Sequence, residues 1–132
     1  MDNKQAHLEM IQGVVNRLSY NSFLLKGWSV VLISAMFALA ASDSNVLFIY
    51  LAYFPSIAFW ILDGYFLWQE RMFRALFDHV RIKNEDEIDF SMDVSSIEEN
   101  VETWCCVVFS KTLIIFHGTV FGSIAIVMLT IN

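Results

Sequence analysis

Four ionisable residues lie in or beside long apolar runs: Lys26, Asp63, Lys111 and His117. Charges are rarely carried into hydrocarbon unless they pair, conduct or titrate, so chemistry is expected here first. Counting from the polar stretch 42–45 at 1.5 Å per helical residue puts Lys26 about 26 Å and Asp63 about 30 Å away. Lys111 lies about 30 Å before the end of its own run at Ile131. The three sit at comparable depth, so Asp63 is expected to pair with either Lys26 or Lys111. One reading is an interfacial pair that fixes helix register, with the lysines reaching for headgroups. The other is a charged ring at the inner mouth of an oligomeric pore. His117 falls deeper than either lysine. It reads as a neutral imidazole bonded to a neighbouring helix, or as a proton-responsive gate, because histidine titrates near neutral pH. A relay needs further carboxylates in the span, and Asp63 alone is available.

Other chemistry lacks its motifs. HExxH, CxxC, a phosphate loop and a nucleophile elbow are all absent. Asp86, Asp89 and Asp93 lack the glycine and spacing of a calcium-binding loop and read as a solvated acidic segment. Cys105 and Cys106 are neighbours, and bridging them would close a strained ring. They are expected to be small packing residues, with lipidation as the alternative. Neither an enzyme nor a cofactor or metal site is expected.

The elements that position these groups are three apolar blocks, and the fold class is all-α with three transmembrane helices. Residues 1–22 form an N-terminal amphipathic helix with Leu8, Ile11, Val15 and Leu18 on one stripe; Asp2 and Gln5 have capping-box spacing. The first span is 23–41, in which Ala38-Leu39-Ala40 imitates a leader-cleavage site. The preceding region is too long and not clearly basic, so the segment is expected to be kept. The second span is 46–68, kinked at Pro55. It continues into a cytoplasmic stalk at 69–83, with Glu70 and Arg74 at ion-pair spacing. An acidic loop at 84–95 leads into one long helix, 96–131, whose part 112–131 crosses the bilayer. Gly118 and Gly122 form a GxxxG motif, and Ser34, Ala38 and Ala41 a small-residue face on the first span; both predict close helix packing, within or between chains.

Composition agrees with this layout. Hydrophobic residues make up 57% and charged residues 17% of the 132, against roughly 45–50% and about 25% in soluble domains. The net charge of −6 is concentrated, since Glu85, Asp86, Glu87, Asp89, Asp93, Glu98, Glu99 and Glu102 share one segment. No basic stripe suits nucleic acid. Lys4, Arg17, Lys26, Arg71, Arg74, Arg81, Lys83 and Lys111 all fall on the side of the N-terminus, and none falls on the side of 42–45 and Asn132. The positive-inside rule then places the N-terminus in the cytoplasm and the C-terminus in the periplasm or outside the cell. Trp28 and Trp68 mark the inner boundary.

Four stretches stand out together: Asn21-Ser22-Phe23-Leu24-Leu25-Lys26-Gly27-Trp28, Ala52-Tyr53-Phe54-Pro55, Leu62-Asp63-Gly64-Tyr65-Phe66-Leu67 with Gln69-Glu70-Arg71, and Asp89-Phe90-Ser91-Met92. As a set they resemble a family of small bacterial three-helix integral membrane proteins, across nearly the whole chain. The resemblance implies a bacterial inner membrane and brings no activity or site residues. The layout is also similar to compact membrane effectors of anti-phage systems, an architectural analogy. The expected function is a homo-oligomer in membrane lipid forming a pore or perturbing the bilayer. The alternative is an anchored scaffold binding a cytoplasmic protein through stalk and acidic loop, and a proton-coupled transporter subunit is a third reading.

Overall fold

The computed structural model describes residues 2–43 and 45–131. Ser44 of the expected turn, and Asn132, assigned above to the far side, lie outside them. The described chain is all-helical: α1 (Asn3–Asp43), α2 (Leu47–Arg81), two 3₁₀ turns (Glu85–Glu87 and Ser95–Asn100), a short α3 (Trp104–Val108) and α4 (Lys111–Ile131). Helices α1, α2 and α4 are each long and apolar enough to cross a membrane.

The sequence divides residues 1–22 from the span 23–41, but α1 is a single helix. Asn21-Ser22 does not interrupt it because one inward seam runs its full length. His7, Ile11, Val15, Ser29, Ile33 and Ala40 are all buried along it. Their three- and four-residue steps, or sums of them, keep them on one side of an α-helix. The start of α1 is capped from two sides. The Asp2 carboxylate accepts from the Gln5 N–H at 2.6 Å, half of the expected capping box. Glu85, far along the chain, accepts from the N–H groups of Asn3 at 2.5 Å and Lys4 at 3.2 Å, satisfying donors that a helix start leaves free.

Helix α2 returns antiparallel to α1 and passes through Pro55 without ending. Its buried residues include Ile49, Ala52, Ser56, Asp63, Met72, Leu76 and Val80, of which Ile49, Ala52, Leu76 and Val80 share apolar cores with α1. Two apolar cores result. Ile11, Val15, Leu76, Val80 and Ile97 close the one nearer the N-terminus; Ile33, Ala40, Ile49, Ala52 and Ile124 close the one nearer the α1–α2 turn. Between them lies a polar layer. Ser29, Ser56 and Ala52 are buried, whereas Ser34 and Ala38 are exposed, Ser34 at the edge of a cavity it shares with Val120 and Ser123 of α4.

The continuous helix expected over 96–131 is broken. Residues 95–100 wind as 3₁₀, Val101 is extended, and Thr103 caps α3 by accepting from the Cys106 N–H at 3.4 Å. The chain breaks again at Phe109–Ser110. Side-chain anchors between this segment and α2 provide the reason. The Trp60 indole N–H donates to the Val108 carbonyl at 2.8 Å, that of Trp104 donates to the Ile61 carbonyl at 3.3 Å, and Arg71 bonds Glu102 at 3.0 Å. Gly64 allows this docking, since a Cβ there would lie 3.2 Å from the Val108 Cα. Cys105 and Cys106 are exposed and are not the packing residues expected.

Candidate functional site: a carboxylate shared by three helices

Asp63 sits in the polar layer with no exposed surface. It projects from α2, and each of the other two long helices sends it a donor. From α1, the Ser22 hydroxyl donates to Oδ1, and the Lys26 ammonium pairs with Oδ2 at 2.6 Å. Lys26 also donates to the Ser22 oxygen at 2.9 Å, which closes a small ring of contacts. From α4, His117 Nε2 lies 2.7 Å from Oδ2. Position follows from helical spacing: Ser22 and Lys26 are one turn apart on α1 and so approach the same point.

A carboxylate oxygen accepts, so the His117 Nε2–H donates to it. His117 Nδ1 is buried without a hydrogen-bond partner among the described residues. Lys26 and Asp63 form an ion pair of opposite formal charge. Trp60 stacks on the imidazole at 5.9 Å with planes 10° apart, and Phe116 meets it edge-on at 5.0 Å. Lys26 lies 5.9 Å from the Phe116 ring centre and retains 23% of its side-chain exposure.

Of the residues the sequence singled out, the structure joins Lys26, Asp63 and His117. Lys111 is exposed and makes no ion pair among the described residues, so the alternative pairing does not form. Gly118 and Gly122 meet no other helix: the sole neighbour of a Cβ at Gly118 is Ile114 of its own helix, and at Gly122 there is none. The motif therefore makes no close helix contact within the described chain. Both oxygens of Asp63 are engaged by protein donors. Among the described residues no group of three or more His, Cys, Asp or Glu converges as a metal site.

A second polar site lies beyond the apolar run of α1. His7 is fully buried, its Nε2 donates to the Ser91 carbonyl at 2.9 Å, and its ring packs on Phe90 at 5.6 Å. Phe90 has a positive φ of 56°, a strained choice for a bulky residue. With the Glu85 cap and buried Ile97, these contacts bind the acidic segment to α1 as a strap. Asp89 and Asp93 stiffen it: each accepts a backbone N–H, from Ser91 and Ser95 respectively, which holds both carboxyls below their ordinary value.

No protein-family model, no curated protein and no solved structure matches this chain. The resemblance noted above thus rests on its residues alone, and the geometry carries the functional argument.

Proposed function

We propose that this is a homo-oligomeric protein of the bacterial inner membrane whose assembled form opens a pore or otherwise perturbs the bilayer, as an effector of phage defence would. The observation that carries the reading is the outward placement of close-packing residues. Ser34 and Ala38 on α1 are exposed, and Gly118 and Gly122 on α4 have no neighbour that uses them. In hydrocarbon, small-residue faces favour helix–helix contact rather than contact with lipid. Lys26, Asp63 and His117, by contrast, are engaged with one another within each protomer. A conducting path would then run between protomers, with Asp63, Lys26 and His117 setting helix position rather than lining it.

The orientation belongs to the same proposal. All lysines and arginines lie away from the α1–α2 turn, which supports a cytoplasmic N-terminus and a periplasmic or extracellular C-terminus. The test is the mass of the particle in nanodiscs, followed by conductance of the same preparation. A ring of four or more copies that conducts supports the reading. A monomer or dimer leaves no central path and refutes the pore.

The strap favours a second reading, a membrane-anchored scaffold. It presents Glu98, Glu99 and Glu102 exposed while its apolar side is held down by Ile97. This reading expects one stoichiometric cytoplasmic partner, lost on charge reversal of Glu98 and Glu99 with the fold intact. Conductance by the protein alone would count against it.

A further inference from the structure

Between α2 and the end of α3 a groove of about 210 Å³ opens to the outside, lined by Ile57, Trp60, Ile61, Val108 and Phe109. Its one side-chain N–H, the Trp60 indole, is already bonded to the Val108 carbonyl. Ile57, Ile61 and Phe109 nevertheless remain exposed, Phe109 to 61%. The groove thus offers hydrocarbon contact and no free side-chain hydrogen bond, which suits an alkyl chain. Two residues beyond Phe109 the chain reaches Lys111. This lysine is exposed and unpaired among the described residues, and it opens a helix with no acidic residue in its first turn. An apolar groove followed by a free cation, where the chain turns into its last apolar helix, matches the tail and head of one lipid.

We propose that this groove holds an acyl chain of an anionic phospholipid whose phosphate is neutralised by Lys111, one lipid to each protomer. The inference rests on the membrane placement proposed above and is independent of the pore. It also gives a role to the lysine that does not pair with Asp63. The break at Phe109–Ser110 separates the groove-lining Val108 and Phe109 from Lys111 at the start of α4.

The test uses the full-length protein, incubated with mixed vesicles of equal phosphatidylglycerol and phosphatidylcholine and then repurified in mild detergent. Retained lipid is identified by native mass spectrometry. Wild type should retain phosphatidylglycerol over phosphatidylcholine by about fivefold, the enrichment one lysine gives at an anionic surface. Lys111→Glu should abolish that preference, and Ile61→Trp, which fills the groove, should reduce retention of both lipids. Helical content by circular dichroism confirms that each variant is folded; if Ile61→Trp is not, Lys111→Glu decides alone. Equal retention of the two lipids by wild type, or an unchanged preference in Lys111→Glu, overturns the proposal. So does a wild type without bound lipid whose particle mass falls in Ile61→Trp, since a second copy would then occupy the groove. Absence from the membrane fraction would refute the membrane reading itself, whereas membrane residence with indifferent lipid retention refutes only this inference.

Discussion

Replacing Asp63 by asparagine keeps the shape of the side chain and removes the charge that three helices converge on. The carboxamide can keep its oxygen toward Lys26 and His117, which share Oδ2, but its NH₂ then replaces the acceptor of the Ser22 hydroxyl, and the Lys26 ammonium is left without a counter-charge. Removing one partner of a buried ion pair costs roughly 3–5 kcal/mol. Lys26 keeps 23% exposure and can swing outward, so the net loss should be about 2–4 kcal/mol. Unfolding in mixed micelles, followed by circular dichroism and by the fluorescence of the tryptophans, of which Trp60 stacks on His117, measures it. The double variant Lys26→Gln/Asp63→Asn should be less destabilised than the sum of the singles by about 1–3 kcal/mol, because the unpaired cation is gone. An Asp63→Asn protein within about 0.5 kcal/mol of wild type, or strictly additive single variants, would refute the account of Asp63 as the junction of the bundle.

Gly64→Ala should destabilise, since its Cβ would lie 3.2 Å from a Val108 Cα whose carbonyl is fixed by Trp60. Overpacking of this kind costs about 1–3 kcal/mol, partly offset by the roughly 1 kcal/mol that alanine gains over glycine in a helix. Gly13→Ala, with nothing within 4 Å, should stabilise in the same assay; equal effects at the two sites would contradict the close approach. Glu85→Ala removes the acceptor of the Asn3 and Lys4 N–H groups, so hydrogen exchange there should quicken about threefold or more while Ile11 is unchanged. The strap should also respond to acid. Asp89 and Asp93 have folded values below 3.8, so their contribution is present above that ordinary value and is lost as pH falls through the lower folded values. Exchange at Ser91 and Ser95 should therefore be steady near neutrality and rise below about pH 4; unchanged exchange down to about pH 2 would contradict the two carboxylate turns.

Much of the site was legible because helical rise converts residue number into depth. Lys26 and Asp63 were placed near one level by counting from the same turn, and that level is where they meet. The choice between Lys26 and Lys111 could not be made by depth, since it depends on which face of each helix turns inward. Ser22 left a usable signal, one turn before Lys26, yet a hydroxyl in an apolar run is ordinarily spent on its own backbone. Thr119 behaves in that way, donating to the Ile115 carbonyl at 2.5 Å. His7 stands outside the apolar stripe Leu8, Ile11, Val15 and Leu18, whereas the buried series runs 7, 11, 15. The break after α3 and the role of Gly64 arise from tryptophans on other segments, and local spacing carries no trace of such distant anchors. GxxxG was the conspicuous glycine pattern, but the glycine that permits contact within the chain is the single one beside Asp63.

The uninterrupted α1 makes the chain a gauge of its own tilt. His7 and Lys26 lie on one rod about 28 Å apart. If Lys26, held by Asp63, acts as the pivot, a lean of about 5° would carry His7 sideways by roughly 2.5 Å. That displacement nearly equals the whole length of its 2.9 Å bond to Ser91, and hydrogen bonds do not survive such stretching. A lean of α1 against the strap would thus register at this one bond, at the opposite end of the rod from the α1–α2 turn.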